Sequence, residues 1–191
     1  MNKQVWIEKA LGLGIQEFEI YQSTTVEKEM TWFQGQMDTL VSSKVTGTSI
    51  RGIVDGKMAN MALEEIDDSM CETVLKSLIE KAHIISNEET DSLRKPEAIE
   101  YVKKDVTWNM ASTEYVKDIL QSLEAKILAY DPRVIQVGYL GYSQGSGSRS
   151  IVNSLGMNVE DFDEMQYIVA SVVVKENEEI KDASLVEVVY D

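Results

Sequence analysis

Apolar residues along this chain switch between two periods, and the switches mark the elements. Residues 3–13 carry Val5, Trp6, Ala10, Leu11 and Leu13 at helical spacing, ended by Gly14, which predicts a short amphipathic helix. The period then becomes two. Residues 18–21 read as a short strand, and over 26–33 Val26, Met30 and Trp32 alternate with Glu27, Glu29 and Thr31. Gly35, Gly47 and Asp55-Gly56 punctuate further strands at 37–45, 48–54 and Lys57–Leu63. Asp-Gly between two such runs predicts a type I′ hairpin, because glycine tolerates the positive φ that the turn requires. This part of the chain is a meander.

The helical period returns over residues 67–85, where Cys71, Val74, Leu75, Leu78, Ala82 and Ile85 share one stripe. Ser69 and Glu72 stand at capping-box spacing at its start. Residues 86–104 are polar, contain Pro96 and read as a linker. A further helix is predicted over 112–130, with Val116, Ile119, Leu120, Leu123 and Ile127 on one face and Asp131-Pro132 as its stop. Strands follow at 134–142, 148–155, 157–162, 165–175 and 183–190, with Gly145-Ser146-Gly147 and Glu176-Asn177-Glu178 as turns between them.

Sliding the chain by about 121 positions lays Gly35 on Gly156 and the strand end Ile53-Val54 on Val174-Lys175, the pattern of a degenerate duplication. The expected fold is α+β: two similar units, each with antiparallel meander strands packed against helices. By sequence order the domains are 1–88, a linker at 89–110, and 111–191.

Charge and composition narrow the function. Lysine and arginine number 18 against 33 aspartates and glutamates, a net charge of −15. Such a surface repels nucleic-acid phosphates and anionic membranes, so neither is expected as a partner. No run is long enough to span a bilayer, and the first residues lack the basic start and apolar middle of a signal peptide. Cys71 is the sole cysteine, which rules out an internal disulfide and, with the absence of a leader, predicts a cytoplasmic protein.

Candidate chemistry is thin. His83 is the sole histidine, whereas a zinc site or a nucleophile triad needs more partners than one imidazole and one thiol provide. Asn87 stands where an H-E-x-x-H pattern would need a second ligand. Cys71 lies on an apolar stripe with no cation one turn away to make a thiolate. Gln144-Gly-Ser-Gly-Ser-Arg149 has the glycines of a phosphate cradle, but a P-loop opens a helix and Arg149 opens an apolar run, so a hairpin loop is expected. The acidic clusters Glu64-Glu65, Asp67-Asp68 and the acids of residues 161–164 read as solvated surface and helix-start charges rather than a catalytic pair. Trp32, Phe33, Tyr139 and Tyr142 at strand positions suit cross-strand packing better than ligand stacking. No catalytic, metal or cofactor residue is assigned, and the residues that contact a peptide or partner are left unknown.

One order of short motifs resembles a known family. Phe18-Glu-Ile-Tyr21, then Met37-Asp38, then Gly47-Thr-Ser-Ile-Arg-Gly-Ile-Val-Asp-Gly-Lys57 with Met58-Ala-Asn-Met-Ala62 resembles the N-terminal domain of the TldD/PmbA (TldE) proteins. Ala129-Tyr-Asp-Pro-Arg-Val134, Gln136-Val137 and Asn153-Ser-Leu-Gly156 resemble the family's middle domain. The resemblance implies a cytoplasmic dimer linked to proteolysis of unfolded peptides, to peptide-antibiotic maturation and to the label "modulator of DNA gyrase". It also implies that zinc is held in a C-terminal domain of TldD-type members, a further domain expected after Asp191, or in a partner subunit, so no cofactor is expected within these residues. A first helix beginning almost at Met1 favours the PmbA type.

The expectation is therefore the N-terminal and middle part of a PmbA/TldD-like protein of a zinc peptidase system. It would serve dimer assembly, as a homodimer or with a TldD-like subunit, and formation of a cavity for unfolded peptide, without being catalytic alone. The alternative is a stand-alone acidic module that binds a basic or extended partner. A carboxylate-based hydrolase is a distant third.

Overall fold

The computed structural model describes residues 1–64, 66–86, 90–97 and 111–189. The elements run α1 (Lys3–Gly12), β1 (Glu17–Phe33), β2 (Gln36–Val54), β3 (Lys57–Leu63), a 3-10 turn (Asp68–Met70), α2 (Cys71–Ile84), α3 (Thr113–Tyr130), β4 (Val134–Asn153), β5 (Asn158–Glu176) and β6 (Glu179–Val189). Six strands form one sheet in the order β3-β2-β1-β4-β5-β6, so the two meanders meet at β1 and β4. The fold is α+β, as expected, and β1, β2 and β3 correspond in order and spacing to β4, β5 and β6.

Several expected breaks are absent. Residues 18–21 and 26–33 belong to one strand, and Gly47, Gly145 and Gly147 lie inside strands rather than in turns. Backbone dihedrals explain the difference. Among described residues, positive φ occurs at Gln34-Gly35, Asp55-Gly56 and Asn177, the two-residue connections, and also at Gly14 and Gly156. Gly47, Gly145 and Gly147 stay out of the left-handed region, and a glycine in extended backbone interrupts no ladder.

Two compact units emerge, each assembled from three stretches of chain. The first is Met1–Thr24, Val45–Lys104 and Ser148–Phe162; the second is Thr25–Lys44, Asp105–Gly147 and Asp163–Asp191. This geometric division differs from the sequence division at 1–88, 89–110 and 111–191, because β1, β2, β4 and β5 each give residues to both units.

In the first unit, alternation along the strands buries Phe18 and Ile20 of β1 and Ile50 of β2 against α1 and α2. Helix α1 contributes Trp6, Ile7 and Ala10, while Leu11 and Leu13, counted above as part of its apolar face, are exposed. The α2 stripe Cys71, Val74, Leu75, Leu78 and Ala82 is buried as expected. Its start differs from the expected capping box. Asp67, not Ser69, supplies the side-chain oxygen, accepting from the Ser69 amide at 2.7 Å, and α2 follows the 3-10 turn without a side-chain cap of its own. Of the expected linker, residues 90–97 are described, and they are held in place. The Asp91 amide donates to the Gly56 carbonyl at 2.9 Å, its carboxylate accepts from the Met58 amide at 3.0 Å, and Leu93 is buried.

In the second unit, α3 lays Val116 and Leu120 over Met30, Trp32, Val137 and Leu140. Ser112 caps it, accepting from the Tyr115 amide at 3.2 Å. Glu124 sits buried on the same face, where its carboxylate accepts from the Trp32 indole at 2.8 Å and from the Gly35 amide at 2.9 Å. That pair of bonds ties the helix to the β1–β2 turn. Past the end of α3, Asp131 accepts from both the Arg133 amide, at 2.8 Å, and its guanidinium, at 2.9 and 3.0 Å.

Those bonds hold the Asp131 carboxyl down at about 2. A lowered folded-state pKa favours folding above the ordinary carboxylate value, and that contribution disappears as pH falls towards the folded value. Carboxyl-detected NMR should place the Asp131 midpoint near that depressed value. Asp131→Asn should remove this part of the acid limb of a stability–pH profile. A midpoint at the ordinary carboxylate value would refute the assignment.

Candidate binding site

Alternation in β1 sends Phe18 and Ile20 into the core and sends Glu17, Glu19 and Tyr21 to the other face of the sheet. The same logic puts Ser49 and Arg51 of β2 on that face, and the β2–β3 register sets Asn60 opposite Arg51. Glu19 is 3% exposed, and a carboxylate so placed needs partners. It has two. Arg51 donates from Nε at 2.7 Å, with a terminal guanidinium nitrogen at 2.6 Å, to one Glu19 oxygen; Asn153 donates from Nδ2 at 3.2 Å to the other.

Asn153 is the hub behind this pair. Its second amide hydrogen goes to the Arg94 carbonyl at 2.9 Å, and its oxygen accepts from the Leu155 and Met157 amides at 3.0 and 2.9 Å. The neighbouring acid Glu17 accepts from the Leu93 amide at 2.6 Å. Ser154 accepts from the Phe18 amide at 2.9 Å and donates its own amide to the Phe18 carbonyl at 2.8 Å. Residues 90–97 are thus fastened over one end of this face.

The rest of the face is open. A bay of about 320 Å³ is lined by Glu19, Tyr21, Ser49, Arg51, Asn60 and Ile151. The Arg51 side chain is 44% exposed against 4% for Glu19, so the guanidinium forms the floor of the bay while its counter-ion is sealed beneath. The remaining guanidinium hydrogens, a phenol, a hydroxyl and a carboxamide can donate to and accept from a polar group, and Ile151 and the Tyr21 ring offer apolar surface. Such a set suits a polar ligand rather than covalent chemistry, because it holds no activated nucleophile.

The residues singled out by sequence lie elsewhere. His83 is exposed near the end of α2, its Nε2 3.6 Å from Asp55. Cys71 is buried, and burial pushes its thiol up, away from the reactive thiolate. Gln144 to Arg149 is strand, not hairpin loop: Gln144 is buried and Arg149 pairs with Asp161 at 3.8 Å. The Tyr142 hydroxyl lies against the side-chain amides of Gln144 and Gln166, 2.8 Å from the latter. A hydroxyl has one hydrogen to give, so one amide must present nitrogen. Turning Gln144 does so and gives its otherwise unpartnered buried Nε2 a partner. Trp32 is core, bonded to Glu124, whereas Tyr139 is partly exposed and donates to Glu29 at 3.2 Å. Asp67 and Asp68 accept from helix-start donors, Asp68 from the Asn2 amide at 2.8 Å and the Trp6 indole at 2.9 Å. Glu65 lies outside the described residues.

Sequence inspection passed over Glu19, Arg51 and Asn153 as individuals, although all three sit inside the short motifs quoted above. The available signal was Glu19 itself, a charge flanked by Phe18 and Ile20 in a strand, with Arg51 as the sole basic residue of the second half of β2.

Comparison with known proteins agrees with these motifs. Residues 18–86 match the family description "PmbA/TldA metallopeptidase domain 1", and residues 107–186 match "PmbA/TldA metallopeptidase central domain". The chain belongs to the PmbA/TldD family. Among solved structures, TldE from Thermococcus kodakarensis has the same fold, with a TM-score of 0.81 at 16% identity over 99% of this chain and 43% of that one. A candidate modulator of a DNA gyrase from Thermotoga maritima MSB8 gives 0.76 at 18% identity over 97% of this chain and 42% of its own. One from Bacteroides thetaiotaomicron VPI-5482 gives 0.77 at 19% over 97% and 43%. The chain therefore spans under half the length of these structures. No curated protein matches it.

A metallopeptidase family invites a test of metal fit. Among the described residues no three His, Cys, Asp or Glu side chains come together, the sole imidazole faces one exposed carboxylate, and the sole thiol is buried. This donor set does not fit zinc. Among the described residues no helix is long and apolar enough to cross a membrane.

The buried pair can be tested directly. Arg51→Met should lower the unfolding free energy in urea by about 2 kcal/mol, less than for a fully buried pair because the guanidinium is half exposed. Glu19→Gln in the same chain should recover part of that loss. Full stability of Arg51→Met would show that Glu19 does not depend on it.

Proposed function

We propose that this chain is the N-terminal and middle part of a PmbA/TldD-like protein of a zinc peptidase system, that it contributes a peptide-holding cavity and dimer assembly, and that bond cleavage is performed by zinc held outside these residues. The observation that carries the reading is the bay on the first unit's sheet, with a charge-compensated guanidinium at its floor. The Glu19 carboxylate cancels the charge of Arg51, so the site favours neutral polar groups over anions. A backbone amide of an extended chain is such a group: its carbonyl accepts from Arg51 and its N–H donates to the Asn60 or Ser49 oxygen. Recognition of that kind reads main chain more than side chains and suits unfolded peptides of many sequences.

The family match over both parts of the chain supports the placement within such a system. A cytoplasmic home and assembly with a second copy or a TldD-like subunit belong to the same reading. The donor set described above fits binding and orienting roles for this chain.

Fluorescence anisotropy of a labelled, unstructured peptide with the 191-residue chain tests the proposal. Binding should be weakened at least about fivefold by Asn60→Ala, an exposed change that leaves the core intact, and more by Arg51→Ala. Binding unchanged in both variants, or stoichiometric tightly held zinc in the purified chain, would contradict the proposal.

A further inference from the structure

The charge of the bay on the first unit is set from beneath. Among the described residues that line it, Arg51 is the sole cation and Glu19 the sole acid. Arg51 uses Nε, at 2.7 Å, and a terminal nitrogen, at 2.6 Å, on one oxygen of Glu19. A guanidinium carries five N–H groups, so three are left for a ligand. Glu17 stands on the same strand face two residues away, where its carboxylate accepts from the Leu93 amide at 2.6 Å. One guanidinium therefore serves a face that holds two carboxylates.

Glu19 has little freedom to move away. Its other oxygen accepts from Asn153 Nδ2 at 3.2 Å. The Asn153 amide cannot turn over, because its oxygen already accepts from the Leu155 and Met157 amides at 3.0 and 2.9 Å. Its second hydrogen goes to the Arg94 carbonyl at 2.9 Å, so both donors and both lone pairs of Asn153 are in use. Each Glu19 oxygen thus faces a fixed donor, and the carboxylate is locked beneath the guanidinium.

We infer that Glu19 sets what the bay selects: uncharged stretches of polypeptide enter, and stretches rich in aspartate or glutamate are turned away. Glu19 acts through Arg51 and does not touch the peptide. The inference rests on the reading of the bay as a peptide site and names the class of peptide. A carbonyl can accept from a free Arg51 N–H without adding charge. A carboxylate loses more hydration than an amide on entering, and it meets a cation already matched at 2.6 Å. Glu19 and Glu17 then repel it at short range, where water screens poorly. An arginine without such a counter-ion is the usual receptor for a carboxylate, so the preference lies in Glu19 and not in Arg51.

Fluorescence anisotropy with the full 191-residue chain tests this, using two labelled dodecapeptides with capped ends. One is built from Ala, Ser and Asn; the other has Asp in place of every Asn. Wild type should bind the Asn peptide at least about tenfold more tightly, and the gap should persist at about 0.5 M salt, where the net charge of −15 is screened. Glu19→Gln should narrow the gap about tenfold by strengthening the Asp peptide. Glu80→Gln removes an exposed acid of α2, changes the net charge equally and should leave the gap as it was. Circular dichroism confirms that each variant is folded. A gap that Glu19→Gln leaves unchanged, or that Glu80→Gln narrows as much, overturns the inference. Should Glu19→Gln not fold, wild type at high salt decides, and equal affinity for the two peptides overturns the selectivity while the bay stands. A wild type that binds neither peptide overturns the bay itself and this inference with it.

Discussion

A carboxylate removed from water must be matched, and in the first unit that requirement falls on Glu19. Its position in β1 is fixed by alternation with Phe18 and Ile20, which belong to the core beneath α1 and α2. The match comes from three other parts of the chain: Arg51 on β2, Asn153 at the end of β4, and, through Asn153, the carbonyl of Arg94. One buried charge thereby fixes strand placement and a segment without regular structure. Its cost is offset because both carboxylate oxygens accept hydrogen bonds and the counter-ion is adjacent. The bay follows from the same arrangement, since Arg51 reaches over Glu19 from a partly exposed position. Glu124 does comparable work in the second unit, where it joins α3 to Trp32 and to the β1–β2 turn.

Helices and tight turns were legible from sequence because each has a local cause. The α2 stripe and the Asp55-Gly56 turn depend on residues a few positions apart, and both formed where the pattern placed them. Strand continuity was less legible. Glycine is compatible with a turn and with extended backbone alike, so Gly47, Gly145 and Gly147 read as breaks although long strands pass through them. Residues 90–97 misled for a related reason: their composition is polar, yet their groups are satisfied by Gly56, Glu17 and Asn153, each distant in sequence. The candidate site was hidden by numbers. Among 33 acids nothing local distinguishes Glu19 except its apolar neighbours, and its partners lie 32 and 134 residues away.

Membership of the PmbA/TldD family accounts for why the short motifs hold together. Glu17, Glu19 and Tyr21, then Arg51, then Asn153 and Ser154 are separate in the sequence but adjoin in one unit, each with a bonding or lining role. The solved relatives share the fold at 16–19% identity, and this chain spans 42–43% of their length.

Reception of extended polypeptide by the open face around Arg51, as proposed, is open to direct measurement. Amide chemical-shift mapping during titration with an unstructured peptide tests it most directly. Shifts should concentrate at Tyr21, Ser49, Arg51, Asn60 and Ile151 and saturate together. Shifts confined to the second unit, or none at saturating peptide, would contradict it.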